Sequence, residues 1–165
     1  MALQPITRHP EPRPVEEVEI DNASVVPRTP VKRYLITLRI RHPSLDPEEV
    51  SAALHRQPAV SWKAGDQCVT PKGTRLSGVR TDGLWSLTFR YKGEKSISRN
   101  LEQILDDLTS HKDLFSKLDQ LGAARALYLQ LPGNANNGDR ISPEVLRKLA
   151  DLGLALELEV FPEMT

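Results

Sequence analysis

One cysteine, Cys68, stands in a chain of 165 residues, so no internal disulfide can form and a reducing compartment is the natural setting. Aromatic residues make up only 5%, which is poor material for a base-stacking surface. Neither sign of charge prevails. With 22 basic against 22 acidic residues, no overall field would gather nucleic acid or an anionic membrane. No stretch approaches the roughly 20 apolar residues of a membrane span, and the opening "MALQPITRHPEPRP" lacks the apolar run of a secretory signal. The four histidines, His9, His42, His55 and His111, are scattered without metal-ligand spacing. No GxGxxG or GxxxxGK[ST] run is present to cradle phosphate. These absences predict a soluble cytoplasmic protein with no metal, no cofactor, no nucleic-acid partner and no membrane partner.

What the chain does have is pattern. Residues 1–30 hold six of the 13 prolines, and five acids against three arginines. Such a segment buries too little apolar surface to offset its ordering entropy, so it is expected to be a flexible leader; the alternative is a docking arm in which "VEEVEI" adds as an edge strand. Residues 31–165 are expected to form one domain. In "YLITLRIR", Ile36, Leu38 and Ile40 share one face of a strand, opposite Thr37, Arg39 and Arg41. Asp46 then caps a helix with Pro47 at its first position and Glu49 completing a capping box; the helix is expected to end near Arg56 and to bury Val50, Ala53 and Leu54. "LWSLTFRY" puts Trp85, Leu87, Phe89 and Tyr91 on one strand face.

From Ile97 to Leu121 the apolar residues follow a helical period in two stripes. Ser110, three residues before Asp113, predicts a break with a new cap between them, and Gly122 an end. "ARALYLQL" alternates again. Ser142 and Pro143 start a last helix, expected to bury Leu146, Leu149 and Ala150. "LALELEV" closes the domain with Leu154, Leu156, Leu158 and Val160 directed inward. The first and last thirds share a plan of strand, turn and proline-started helix, as two βαβ-like halves joined by a long helix would. The predicted fold is α+β: a two-layer sandwich with a mainly antiparallel or mixed sheet of four or five strands and about three helices on one face.

The order and spacing of "LDPEEV", of "WKAGD" after Pro58, of "LWSL" and of "ISPEVLRKLADLGLALELEV" resemble a bacterial family catalogued only as a domain of unknown function, number 4279, over about residues 33–161. Members of that family often carry a histidine just before the first leucine of the long helix, where this chain has Asn100, so any role of that histidine is not carried over. The resemblance implies a fold and brings no activity, ligand or catalytic residue.

Glu48 and Glu49 sit in a first helical turn, where the macrodipole favours acids, which accounts for them without acid–base chemistry. Glu157 and Glu159 read as the solvated face of the last strand. "GNANNGD" offers Asn134, Asn136, Asn137 and Asp139 as oxygen ligands but lacks the final glutamate of a calcium loop. Cys68 has Lys63 and Lys72 near it in sequence, without an assigned histidine. The strongest candidate is the long connection at residues 59–83, broken by Gly65, Gly73, Gly78 and Gly83. There Trp62 stands among Lys63, Lys72, Arg75 and Arg80, against Asp66 and Asp82, as a loop that receives an anion or an acidic partner would be built. No catalytic residue is assigned. The inventory favours a non-catalytic binding or protein-interaction domain whose partner is a protein or a small anionic ligand. The alternative is a small enzyme with a site formed by loops 59–83 and 132–140. Deleting residues 2–30 is expected to leave the melting temperature of the domain within about 5 °C of the full chain, since about 1 kcal/mol moves a domain of this size by only a few degrees; a larger drop in a thermal melt would show that the leader contributes to the core.

Overall fold

The computed structural model describes residues 32–93, 96–133 and 138–161. In chain order they form β1 (Lys32–His42), α1 (Pro47–Leu54), β2 (Val60–Trp62), β3 (Gln67–Val69), β4 (Arg75–Val79), β5 (Gly83–Gly93), α2 (Ile97–Thr109), α3 (Lys112–Leu121), β6 (Ala124–Pro132), α4 (Pro143–Asp151) and β7 (Ala155–Phe161). The main sheet runs β2-β5-β1-β6-β7, and β3 with β4 forms a separate two-stranded ribbon. The architecture is α+β with a mixed sheet, as its strand alternation predicts, and it has four helices among the described residues where about three were expected.

β1 is the centre of this sheet. It pairs antiparallel with β5 along its whole length, Lys32 opposite Gly93 and His42 opposite Gly83, and with β6 from Leu35 to Arg41. Tyr34, Ile36, Leu38 and Ile40 are all buried on the face covered by helices, where they join Trp85, Leu127 and Leu129. β2 runs antiparallel to β5 and hence parallel to β1, so β1-α1-β2 is a βαβ unit split by the insertion of β5. β6-α4-β7 is a second such unit, with its two strands adjacent and parallel. The shared plan of the two ends of the sequence is therefore a shared topology.

Local signals place the helices. The Glu48 N–H donates to Asp46 Oδ1 at 2.9 Å, the Arg99 N–H to Ser96 Oγ at 3.1 Å and the Val145 N–H to Ser142 Oγ at 3.3 Å. The return bond expected from Glu49 is not made. Its side chain is exposed, and Lys63 supplies the second contact to Asp46 instead. α1 stops at Leu54, because His55 turns into the left-handed region at φ 52°, and it buries Val50 and Leu54 but leaves Ala53 exposed. The break between α2 and α3 falls where the sequence puts it, but Ser110 does not cap α3. It lies in helical conformation and donates its hydroxyl backward to the Asp107 carbonyl at 2.6 Å, closing α2.

α4 differs from expectation by one position in its inward face. Val145 and Leu149 are buried, Ala150 is exposed and Leu146 is 50% exposed, because the stripe Val145–Leu149–Leu152 and not Leu146–Ala150 meets the sheet. β7 likewise leaves Leu158 64% and Val160 63% exposed, though both lie on the helix-covered face opposite Leu129 and Leu131. α4 covers only the beginning of that strand.

Leu38, fully buried on the central strand, is the most direct probe of this packing. Leu38→Ala should lower the unfolding free energy by about 3 kcal/mol through lost burial and a residual cavity. Urea denaturation should show this as a lower midpoint with an unchanged slope.

Candidate functional site

The connection at residues 59–83 is a long β-arm. β2 and β5 form its base, with Ser61 opposite Trp85, and the chain then runs out as β3 and β4 and returns. Between base and ribbon the Gly65 N–H donates to the Arg80 carbonyl and the Arg80 N–H to the Asp66 carbonyl, both at 2.8 Å, so the arm is hydrogen-bonded through the join. Gly65, Gly73 and Gly78 all have φ near +90°, which a side chain rarely permits, and they set the bends. Gly83 is required for another reason: a Cβ there would lie 2.7 Å from the Leu45 carbonyl oxygen, so the arm re-enters the sheet in direct contact with the start of α1.

An open groove of about 570 Å³ lies between base and ribbon, with Trp62 and Arg80 among its walls and Val60 and Val69 at its exposed apolar side. The Arg80 guanidinium stacks over the Trp62 ring, 3.9 Å from its centre. The Trp62 indole N–H is out of solvent and has no acceptor among the described residues. One carboxylate, Asp66, also faces the groove and accepts the Lys63 N–H at 2.7 Å, so the cationic side of the groove is Arg80. Lys72 and Arg75 lie towards the tip of the ribbon, both exposed and, among the described residues, without an ion pair. Leu76 and Val79 are exposed beside them.

Of the five residues singled out in this segment, Trp62 and Arg80 are brought together, and Lys72 and Arg75 extend the same arm. Lys63 is directed elsewhere. Its ammonium lies 3.1 Å from Asp46 and 3.7 Å from Glu48, at the start of α1. Asp46 holds the Lys63 pKa up, while the Glu48 amide first, and then Lys63, hold the Asp46 carboxyl below the usual carboxylate range. Cys68 is half-buried on β3. No group of three or more histidine, cysteine or acidic side chains suited to a metal occurs among the described residues.

The described residues of the segment 132–140, which are 132–133 and 138–140, lie at the other end of the sheet. β1 enters beside β6's end and leaves beside β5's start, so its roughly 35 Å length separates this loop from the arm. A single site formed by loops 59–83 and 132–140 is thus not built. Asn134, Asn136 and Asn137 lie outside the described residues. Asp139 is engaged as a cap, accepting the N–H groups of Ile97 and Arg140.

Close to that cap is a polar group that residue patterns alone do not find. Asn100 is only 2% exposed; its amide nitrogen donates to the Tyr34 hydroxyl, and its Oδ1 has no partner among the described residues. Tyr34 stacks with Tyr91 at 5.7 Å, and burial raises the pKa of both phenols. The helical period places Asn100 on the buried side of α2, at the position where the resemblance leads one to look for a histidine.

A family model described as Domain of unknown function (DUF4279) matches residues 31–161. No curated protein and no solved structure matches the chain.

The Asp46 cap ties the arm to α1 through Lys63 and gives a pH test. Asp46 holds its proton less tightly in the folded chain than in the unfolded one. Its stabilising contribution is therefore complete above the unfolded carboxyl's range and vanishes as pH falls through the lower, folded one. Asp46→Ala should melt below the unsubstituted protein at about pH 7, and the two melting temperatures should converge by about pH 2. A gap independent of pH would show that the cap does not act through its charge.

Proposed function

The chain belongs to the family of the domain of unknown function DUF4279, and we propose that this member is a non-catalytic binding module which takes an acidic protein segment or a small anionic ligand on its β-arm. The observation that carries this reading is the Trp62–Arg80 pair in the wall of an open groove. A ligand carboxylate or phosphate would pair with the Arg80 guanidinium, while Trp62, Val60 and Val69 cover its apolar part. Lys72 and Arg75, unpaired along the same arm, would meet further acidic groups of a longer partner. The single cysteine and the resemblance to a bacterial family favour the cytoplasm of a bacterium as its place of work.

A labelled peptide alternating glutamate and valine is a suitable probe, read by anisotropy and by the change in Trp62 emission. The other tryptophan, Trp85, is buried with its N–H donated to Ser51 Oγ, and should not respond. Replacing Lys72, Arg75 and Arg80 together with glutamine should reduce affinity at least tenfold while the melting temperature holds. Affinity should also fall as salt rises, since exposed charges are screened over about 10 Å at 0.1 M. Unchanged binding by the triple variant would place the site elsewhere. Lys63→Gln, by contrast, should leave affinity unaltered.

A further inference from the structure

β7 is an edge strand of the sheet: it pairs with β6 on one side and with nothing among the described residues on the other. Such an edge presents a row of free backbone donors and acceptors. Its side chains divide sharply. Leu158 and Val160 stand exposed on the helix side, where α4 does not reach them, while Glu157 and Glu159 stand exposed on the opposite side. Glu157 lies 3.8 Å from Arg39, whose guanidinium also covers the Tyr128 ring at 3.5 Å, whereas Glu159 has no ion pair among the described residues.

From this division we infer that β7 adds a strand from a different protein, one that alternates basic and apolar residues. Residues directly opposite in adjacent strands lie on the same face, so apolar side chains would cover Leu158 and Val160 while lysines or arginines meet Glu157 and Glu159. The same geometry disfavours the occupants that this chain itself supplies. A two-fold pairing of β7 with a second β7, centred on Leu158, sets Glu157 opposite Glu159. Shifting the centre by one residue in either direction again sets a glutamate against a glutamate. The acidic "VEEVEI" of residues 15–20 carries the same wrong charge. β4 has a single cation, Arg75, and a glycine, Gly78, at mid-strand, so it does not supply the alternation either. Charges on an edge can also serve only to keep other strands away, and the test separates guarding from recognition.

Three capped, fluorescent heptapeptides are titrated against the full chain: one alternating valine and lysine, one alternating valine and glutamate, and the valine–lysine peptide N-methylated on the amides of its pairing edge. The valine–lysine peptide should bind at least tenfold more tightly than either of the others. Glu157→Gln with Glu159→Gln should remove that preference. Glu159→Gln alone, at a side chain that supports no other contact, should weaken binding several-fold without lowering the melting temperature. Three results would overturn the inference: no binding of the valine–lysine peptide, equal binding of its N-methylated form, or an affinity indifferent to the glutamates. Concentration-dependent self-association abolished by Leu158→Lys would overturn it in favour of a second copy.

Discussion

The central constraint of this fold is that β1 is paired on both sides. Eleven residues bond to β5 on one edge and seven of them to β6 on the other, so every other element takes its position from that strand. A slip of one residue would send Arg39 and Arg41 into the core and bring Leu38 and Ile40 to the surface, which fixes the register firmly. The antiparallel sense on both sides also decides where loops emerge. The arm leaves at the His42 end, whereas β6 ends beside the Lys32 end, about the length of β1 away.

The covered face is held by more than apolar contact. Arg125, at the start of β6, has a side chain only 7% exposed, and it donates to the Phe115 carbonyl at 3.0 Å, to the Gly153 carbonyl at 3.3 Å and to Asp119 at 2.6 Å. One guanidinium thereby joins α3, the turn before β7 and the sheet. Fixed donors of this kind suit arginine, whose planar group loses little freedom in making several bonds. Trp85 is treated in the same way: Ser51 accepts its indole N–H at 2.9 Å while donating to the Pro47 carbonyl, so α1 is pinned to β5 by a satisfied pair. Against these, the Trp62 N–H and Asn100 Oδ1 stand out as buried groups left without partners among the described residues.

What the sequence made legible follows from the range of the interactions involved. The inward faces of β1 and β5, the caps Asp46 and Ser142 and the end at Gly122 depend on neighbours within a few residues, and the structure has them as the pattern predicts. Errors arose where a distant element decides. Val145 and Leu146 are both apolar and adjacent, and only the sheet beneath α4 selects Val145. Leu158 and Val160 alternate as core residues do, yet no helix extends over them. Lys63 belongs by sequence to a cluster of cations and by structure to the Asp46 cap, seventeen positions earlier in the chain. Trp62 and Arg80 were grouped only as members of one loop; their stacking depends on the ribbon folding back at Gly65 and Gly78.

A net charge of zero also means less than the totals suggest. It removes a long-range field, which is what would steer nucleic acid or a membrane surface towards the protein. It places no limit on recognition at contact distance, because screening confines exposed charges to about 10 Å at 0.1 M salt and the two edges of this sheet lie farther apart than that. At one edge the arm carries Lys72, Arg75 and Arg80; at the other, four strands away, β7 carries Glu157 and Glu159. Each edge therefore acts on its neighbours as though the other were absent. A balanced total of 22 basic and 22 acidic residues thus accommodates two borders of opposite local charge, and a partner that approaches either one meets a charge that the total conceals.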